Sequence, residues 1–277
     1  VLVIQLNTNE INGVSLLKDV QNKLDDRGIA IQKVGINDVF LPFLIKTKNG
    51  SFQSVLAKIK LTVDLPHQYK GTHMSRFVEI LSEWSQKPVG SKEMEQILHD
   101  TTEKLEANSA HLQLQFKYFI EKEAPVSGLK SLLDIECVFK ANYKKNKKLD
   151  FTMGVKVPVT SLCPCSKEIS AFGAHNQRSI INAKIKYPHE QIIWIEDLVA
   201  MIEGEASCPI YPLLKREDEK YVTEFAYNNP KFVEDILRDL VLSFRTLQSL
   251  VWFEIECENY ESIHNHSAYA SHVEFID

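Results

Sequence analysis

Two thiols and an imidazole lie close together in the middle of the chain. Cys163 and Cys165 are separated by a single proline, and His175 follows twelve positions after Cys163. Thiolate and imidazole are ligands that zinc-like ions prefer in proteins, so this segment could supply two or three ligands to such an ion. The spacing matches neither a zinc finger nor a zinc ribbon, because both need a second closely spaced ligand pair. The segment is therefore either part of an open metal site or a turn with two inert thiols.

Further candidate ligands fall in two other places. Three consecutive acids, Glu217, Asp218 and Glu219, stand between basic residues. They are either a source of oxygen ligands or a solvated loop. Near the carboxyl end, His264 and His266 flank an asparagine. On a β-strand this spacing would point both imidazoles to the same face, so both could reach one site, although a surface pair is an equal alternative.

Hydrophobic periodicity predicts the elements that must position these groups. A strand over residues 150–160 ends shortly before the two thiols, and strand ends are where rigid scaffolds present chemistry. The order of two strands, two helices and two strands occurs twice, which predicts an α+β fold of two tandem ββααββ units with antiparallel sheets and helices on one face. The predicted strands are 31–46, 51–63, 111–121, 130–143, 150–160, 178–187, 251–259 and 268–275, and the predicted helices are 74–84, 91–106, 195–203 and 230–248.

The boundary between the two units is predicted in the basic stretch 144–149. We therefore divide the chain into a leader segment over 1–29, a first unit over 30–146 and a second unit over 147–277 that carries most of the candidate site. A four-stranded sheet from each unit would leave edges that need pairing. Subunits that join edge to edge into a closed barrel would satisfy those edges.

Composition narrows the class of protein. The 277 residues are 44% apolar and 25% charged, as in ordinary globular enzymes. A formal net charge of −5 argues against a nucleic-acid-binding surface, which normally requires a basic domain. No apolar run has the twenty or so residues of a membrane helix, so we expect no membrane partner. The five cysteines show no disulfide spacing, which favours a reducing compartment, and we expect a cytoplasmic protein.

Five segments of this chain recur in the same order in a known family. The strings CPCSKEIS, AHNQRS, LLKREDEKYVTE, NPKFVEDILRD and ESIHNHSAYA resemble the metal-dependent type IB GTP cyclohydrolases, and GTHMSRF at residues 71–77 extends the resemblance into the amino half. The resemblance implies the tunnelling fold and a homotetramer with active sites between subunits. It also implies the conversion of GTP and water to 7,8-dihydroneopterin triphosphate and formate, the first step of folate, pterin and queuosine-type biosynthesis.

The resemblance also implies a ligand set for a divalent metal ion. It assigns Cys163, His175 and Glu219 to the ion, with one position left open as a catalytic site requires. A mixed set of sulfur, nitrogen and oxygen ligands leaves zinc and manganese open, with iron as a further candidate. The acid loop departs from the family pattern, which usually has proline where this chain has Glu217. The second carboxylate lies two positions from the assigned ligand.

Other residues are assigned to catalysis and substrate binding. Cys163 is counted with the catalytic groups as well as the ligands, and His264 and His266 are assigned to proton transfer, for which imidazole is suited. Glu234 is assigned to guanine, because a carboxylate can accept from both the ring N–H and the amino group; its alternative is an exposed acid near a helix start. The cations assigned to the triphosphate, each equally explained as an ordinary surface charge, are Lys167, Arg178 and Arg216.

Two other functions remain open from the sequence. One is an NADPH-dependent nitrile reductase of the same fold, in which a cysteine attacks the nitrile. The nicotinamide-binding signature expected of it is not evident in this sequence. The other is a non-catalytic zinc-binding protein, which would need a closed set of four ligands. Metal content, NADPH binding and GTP turnover distinguish the three functions.

Overall fold

A computed structural model describes residues 21, 23–188, 190–248 and 250–276 of the chain. The predicted leader over residues 1–29 lies mostly outside the described residues. In chain order, the elements of the described part are β1 (Ile31–Lys46), β2 (Phe52–Leu65), α1 (Met74–Trp84), β3 (Pro88–Val89), α2 (Ser91–Lys104), β4 (Ser109–Glu123), β5 (Lys130–Lys144), β6 (Asp150–Leu162), α3 (Pro164–Ile169), β7 (Asn176–Lys186), α4 (Ile195–Gly204), β8 (Cys208–Pro209), α5 (Arg216–Asn228), α6 (Val233–Arg245), β9 (Trp252–Asn259) and β10 (Ala268–Phe275).

The strands form a single sheet in the order β10-β9-β7-β6-β5-β4-β2-β1-β3, with β8 paired to β6. All pairings are antiparallel except the short pairing of β1 with β3. The predicted α+β class with antiparallel strands is therefore confirmed. The expectation of a separate four-stranded sheet in each half is wrong, because β5 and β6 pair directly from Glu136↔Lys156 to Asn142↔Asp150.

Two helices lie where the sequence predicted none. Helix α3 directly follows Cys163, and α5 covers the three acids, for which a solvated loop was one of the two alternatives. Helix α5 forms because Asp218 accepts a hydrogen bond from the backbone N–H of Lys215 at its start. Tyr221 and Phe225 stack one turn apart with ring centroids at 5.7 Å, which supports its middle. The second half thus contains elements beyond a plain ββααββ order.

The hydrophobic core runs through both halves of the sheet. Four rings on the consecutive strands β4, β5 and β6 and just after β7 meet edge to face: Phe116, Phe139, Phe151 and Tyr187, with successive centroid distances of 5.1, 5.5 and 5.5 Å. Pairs of this geometry add about 0.5–1.5 kcal/mol beyond the area they bury. The core therefore does not stop at the predicted boundary between the halves.

Polar contacts also fasten α4 of the second half to the first half. The Tyr118 hydroxyl donates to Glu196 Oε1 at 2.6 Å, and the backbone N–H of Lys48 donates to the same oxygen at 3.1 Å. Further along the helix, Lys122 Nζ lies 2.5 Å from Glu203 Oε2, and both side chains are largely buried. These contacts fix the helix that leads into the segment around the candidate site.

One end of the sheet is an edge within the described part of the chain. There, strand β10 pairs only with β9, and its Tyr269, Val273 and Phe275 are each more than half exposed. An exposed apolar edge strand is a surface for pairing with another chain. Across the described residues, no helix has the length and apolar character to cross a membrane.

Candidate functional site

The end of β6 presents Cys163 as the N-cap of α3. Its backbone N–H donates to the carbonyl oxygen of His175 at 3.0 Å, and its Sγ accepts from the backbone N–H of Ser166 at 3.4 Å. Pro164 follows at the first helical position, where the missing N–H costs nothing. Cys163 is half-buried, whereas Cys165 is exposed. The two thiols thus have different surroundings, and Cys163 is the one tied to His175.

The imidazole of His175 is held from two sides. Its Nδ1 lies 2.8 Å from Oε1 of Gln177, near the start of β7, and 3.6 Å from Oε2 of Glu261, in the turn after β9. Its backbone N–H donates to Ser166 Oγ at 3.2 Å. The side chains of His175 and Glu261 are only 12% and 13% exposed, so water competes weakly for this pair. The ring is therefore held by Gln177 and Glu261, while the backbone of His175 is bonded to that of Cys163.

A buried polar network locks the strand ends beneath these residues. Ser179 Oγ donates to Asn259 Oδ1 at 2.6 Å, and Asn259 Nδ2 donates to Ser161 Oγ at 2.9 Å. Ser161 in turn donates to the carbonyl oxygen of Lys231, just before α6, at 2.9 Å. Each bond contributes about 1 kcal/mol net, and leaving one of these buried groups unpaired would cost more. Strands β6, β7 and β9 and the start of α6 consequently share one rigid frame.

Asp218 fixes the start of α5. It is fully buried and accepts from the backbone N–H groups of Val126 at 2.8 Å, Ser127 at 2.9 Å and Lys215 at 2.8 Å, and from the Ser127 hydroxyl at 2.6 Å. Burial alone would raise the pKa of Asp218, but these hydrogen bonds outweigh it and hold the pKa well below its usual value. The β4–β5 turn of the first half therefore positions the helix that carries Glu219, which itself is exposed.

His264 and His266 lie in the turn between β9 and β10, which is the gap between the strands predicted over 251–259 and 268–275. Their rings still stack, with centroids 5.2 Å apart and planes inclined by 20°. Glu261 belongs to the same turn and contacts His175, so it brings the segment that carries both histidines to the thiol and imidazole. Both histidines are exposed in the single chain.

The residues assigned to the substrate are more scattered. Glu234 lies in the first turn of α6, Arg178 on β7 and Arg216 at the start of α5, and all three are exposed. Lys167 is instead engaged: its Nζ donates to the carbonyl oxygen of Tyr227 at 2.5 Å and lies 4.3 Å from the centroid of the Tyr227 ring. In this conformation, Lys167 ties α3 to the end of α5.

Two cavities flank the start of β7. The first, of about 340 Å³, contains Arg178 and Gln177 in its wall and Cys208 and Tyr211 from the segment around β8. Burial raises the pKa of Cys208 to about 11 and that of Tyr211 to about 12, so both are neutral at physiological pH. The second, of about 370 Å³, lies between the segment before β7 and α5. Both are large enough for part of a nucleotide.

The single chain gathers only part of the assigned metal set. In the part of the chain that the structure describes, no three histidine, cysteine, aspartate or glutamate side chains form a group that could hold a metal ion. Cys163 and His175 are adjacent, but Glu219 does not join them. The donor chemistry of the adjacent pair fits a metal, since a metal-binding imidazole commonly has its other nitrogen held by an oxygen acceptor, as His175 has.

Comparison with known proteins decides the family. The model of the family described as "Type I GTP cyclohydrolase folE2" matches residues 17–270. The chain belongs to the FolE2 GTP cyclohydrolase family. It is 52% identical over 255 residues to the GTP cyclohydrolase FolE2 of Geotalea uraniireducens (strain Rf4), which covers 92% of each chain. It is 53% identical to that of Citrifermentans bemidjiense, covering 92% of this chain and 94% of the relative. The resemblance to the type I GTP cyclohydrolases is confirmed.

The fold of this FolE2 chain also resembles that of uricase from Arthrobacter globiformis. The superposition covers 89% of this chain and 94% of uricase with a TM-score of 0.50, at 8% sequence identity. Identity at that level shows the fold alone. It agrees with the tunnelling fold that the resemblance implies.

Sequence reasoning missed several residues that shape this FolE2 site. Gln177 and Glu261 hold His175, Asp218 holds α5, and Asn259 joins three strands. Gln177 could have been paired with His175 from the sequence, because residues two apart on a strand share a face and a strand was predicted to begin nearby. The other three act across long sequence separations, so no local pattern marks them.

Proposed function

We propose that this chain is a metal-dependent GTP cyclohydrolase I, which converts GTP and water to 7,8-dihydroneopterin triphosphate and formate in folate and other pterin biosynthesis. Membership in the FolE2 family across residues 17–270 carries this proposal. The adjacent Cys163 and His175 at the end of a rigid sheet add chemical support. A queuosine-type product pathway would begin with the same reaction.

Cys163, His175 and Glu219 would hold a divalent ion, either zinc or manganese, with iron as a further candidate. When bound, such an ion acts as a Lewis acid and lowers the pKa of a coordinated water from about 16 to about 7. Glu219 lies in the first turn of α5, where its carboxylate is free to turn towards a ligand. Cys163 thus serves the reaction through the ion.

His264 and His266 are the groups that would move protons to and from the purine. The reaction needs a proton at N7 of the imidazole ring as the C8–N9 bond opens, and further transfers as the new ring closes. Two stacked imidazoles in one turn beside His175 can serve both tasks. Their exposure in the single chain leaves them accessible to the substrate.

Glu234 would recognise guanine. Its carboxylate can accept from the ring N1–H and from the exocyclic amino group, and adenine lacks that pair of donors. Arg178 and Arg216 are exposed and would neutralise the triphosphate, for which guanidinium forms paired hydrogen bonds. Lys167 would join them after leaving Tyr227.

The active form would be a homotetramer with active sites between subunits. Glu219 and Glu234 are both exposed in the single chain, and exposed apolar side chains surround the segment after Cys163. Phe172 is 93% exposed and Ile169 is 79% exposed, which is unusual for large apolar residues at a solvent surface. A neighbouring copy that covers these residues would enclose the site. The exposed edge of β10 offers a second surface for assembly.

We further propose that the chain consists of two tandem tunnelling-fold units over residues 30–146 and 147–277. The strand order supports this, since β6-β7-β9-β10 of the second half follow one another along the sheet in the same order as β1-β2-β4-β5 of the first half. All five cysteines are free thiols, which fits the proposed cytoplasmic location.

The test is GTP turnover by the purified protein. Protein stripped with a chelator should release formate and yield a fluorescent pterin after oxidation when manganese or zinc is restored. Formate without pterin would contradict ring closure, and the absence of both with every metal would overturn the proposal. NADPH oxidation with a nitrile substrate in place of GTP would identify the reductase instead.

A further inference from the structure

The imidazole of His175 has surroundings that determine which of its nitrogens carries the proton. Both groups next to Nδ1 are oxygens: the amide oxygen of Gln177 at 2.8 Å and the carboxylate of Glu261 at 3.6 Å. An ionised carboxylate accepts hydrogen bonds and cannot donate one, and the same holds for an amide oxygen. Nδ1 therefore carries the hydrogen, and the lone pair of the neutral ring lies on Nε2.

We infer that Gln177 is a positioning residue that fixes His175 as an Nε2 ligand of the metal ion. The inference rests on the proposed metal-dependent function and names a residue that the ligand set does not include. A metal ion requires a neutral imidazole with a free lone pair, and an acceptor behind the ring supplies both the tautomer and the orientation.

Gln177 is better placed for this task than Glu261. It is 7% exposed and lies on β7, which is paired to β6 at Ser161↔Gln177 and to β9 from Ser179 onward. Pairing with β6 thus holds the backbone of Gln177 in place, and pairing with β9 begins two residues later. Glu261 lies in the turn after β9, and its distance to Nδ1 exceeds that of an ordinary hydrogen bond.

The chemistry of the amide also suits the site. A carboxylate as the nearest partner would add a negative charge beside a ligand set that already includes Cys163 and Glu219. A neutral amide orients the ring without adding that charge. With glutamine at this position, a bound ion would withdraw electrons from its fourth ligand more strongly than with a carboxylate there.

The inference is tested by metal affinity, measured by competition of the full-length protein with a chelator for Mn²⁺ and Zn²⁺. Gln177→Met keeps the side-chain volume but removes the acceptor, and we expect metal binding about 10- to 100-fold weaker than in the unaltered protein. Gln177→Glu retains an acceptor and should retain the affinity. Gln115→Met, on the exposed face of β4, is the control and should bind as the unaltered protein does.

A second variant and the visible spectrum of a bound cobalt ion distinguish loss of the hydrogen-bond acceptor from loss of folding. Gln177→Asn keeps a buried amide but is too short to reach Nδ1, so it should also weaken binding. Cobalt-loaded Gln177→Met should show an altered visible spectrum, which a purely structural role would not produce. Equal metal affinity in Gln177→Met, Gln177→Asn and the unaltered protein would overturn the inference alone. Failure of the unaltered protein to bind metal would overturn the proposed metal site as well.

Discussion

At the scale of single residues, the site contains some residues that hydrogen bonds hold in place and others whose side chains are exposed. His175 is held by two oxygens, and Cys163 is held by the carbonyl oxygen of His175 and the N–H of Ser166. Glu219 and Glu234 are exposed. In the proposed site, Glu219 would join Cys163 and His175 as a metal ligand, and Glu234 would bind guanine.

Guanine recognition by Glu234 can be tested with Glu234→Gln. The amide places a donor where guanine also donates, so we expect GTP binding about 10- to 100-fold weaker, the value of one or two charged hydrogen bonds. Metal affinity should not change, because Glu234 is not a proposed ligand. Isothermal titration with a non-hydrolysed GTP analogue measures the first quantity, and Glu83→Gln on α1 is the control. Unchanged affinity for the analogue would remove Glu234 from the guanine site.

The sequence could pair Cys163 with His175 because they flank predicted strand ends twelve positions apart. It could not place Glu219, since the position of α5 depends on contacts of Asp218 with Val126 and Ser127, more than ninety residues earlier. It left the two histidines between the last two strands, as the structure does, but it could not show their stacking or the contact of Glu261 in the same turn with His175. Local periodicity does not register long-range hydrogen bonds.

At the scale of elements, α5 depends on Asp218 and the β4–β5 turn. The four groups that donate to the carboxylate come from both halves of the chain. Most other elements follow from their own periodicity: α1 spans Met74–Trp84 and β10 spans Ala268–Phe275, as the sequence predicts. Helix α5 and the short α3 were missed because capping and tertiary contacts, more than a long apolar stripe, define them.

The Asp218 contact should make stability depend on pH. The pKa of Asp218 in the folded state lies below the value of about 3.9 expected for the unfolded chain, so its contribution is complete above about pH 5 and is lost as the pH falls towards the folded-state pKa. Asp218→Asn should lower stability at pH 7, and its deficit relative to the unaltered protein should shrink between about pH 5 and pH 3. Urea unfolding at several pH values measures this.

Asp197→Asn is the matched control, since Asp197 is a half-exposed acid near the start of α4. Its stability difference should be small. A deficit of Asp218→Asn that stays constant from pH 7 to pH 3 would show that the ionised carboxylate is not the stabilising form.

At the scale of the whole molecule, one continuous sheet and core join two halves that repeat the same strand order. The sequence predicts the long strands in their chain order but not that they form one sheet. The two halves join because the connection between β5 and β6 is too short to keep these strands apart. The sequences Arg-Phe-Val-Glu-Ile at residues 76–80 and Lys-Phe-Val-Glu-Asp at residues 231–235 are similar, but they do not occupy equivalent positions. The first lies wholly inside α1, whereas the second spans the start of α6, which is topologically matched to α2.

Assembly can be tested at Phe172, the most exposed large apolar residue near the site. Phe172→Glu places a charge in the proposed contact between copies, so we expect the tetramer to dissociate and GTP turnover to fall at least about tenfold with it. Val78→Glu, on the exposed face of α1, should change neither property. Sedimentation velocity and turnover at one protein concentration check both. An intact tetramer with full activity in Phe172→Glu would place the contact elsewhere.

We propose that Cys163, and not its neighbour Cys165, binds the ion on which GTP hydrolysis depends. The most direct measurement is bound metal and formate release for Cys163→Ala and Cys165→Ala, prepared side by side and supplied with the same manganese or zinc. We predict that Cys163→Ala loses metal and turnover by at least about a hundredfold, as removal of a direct ligand requires, while Cys165→Ala keeps most of both. Equal metal content and equal formate release in the two variants would contradict the account.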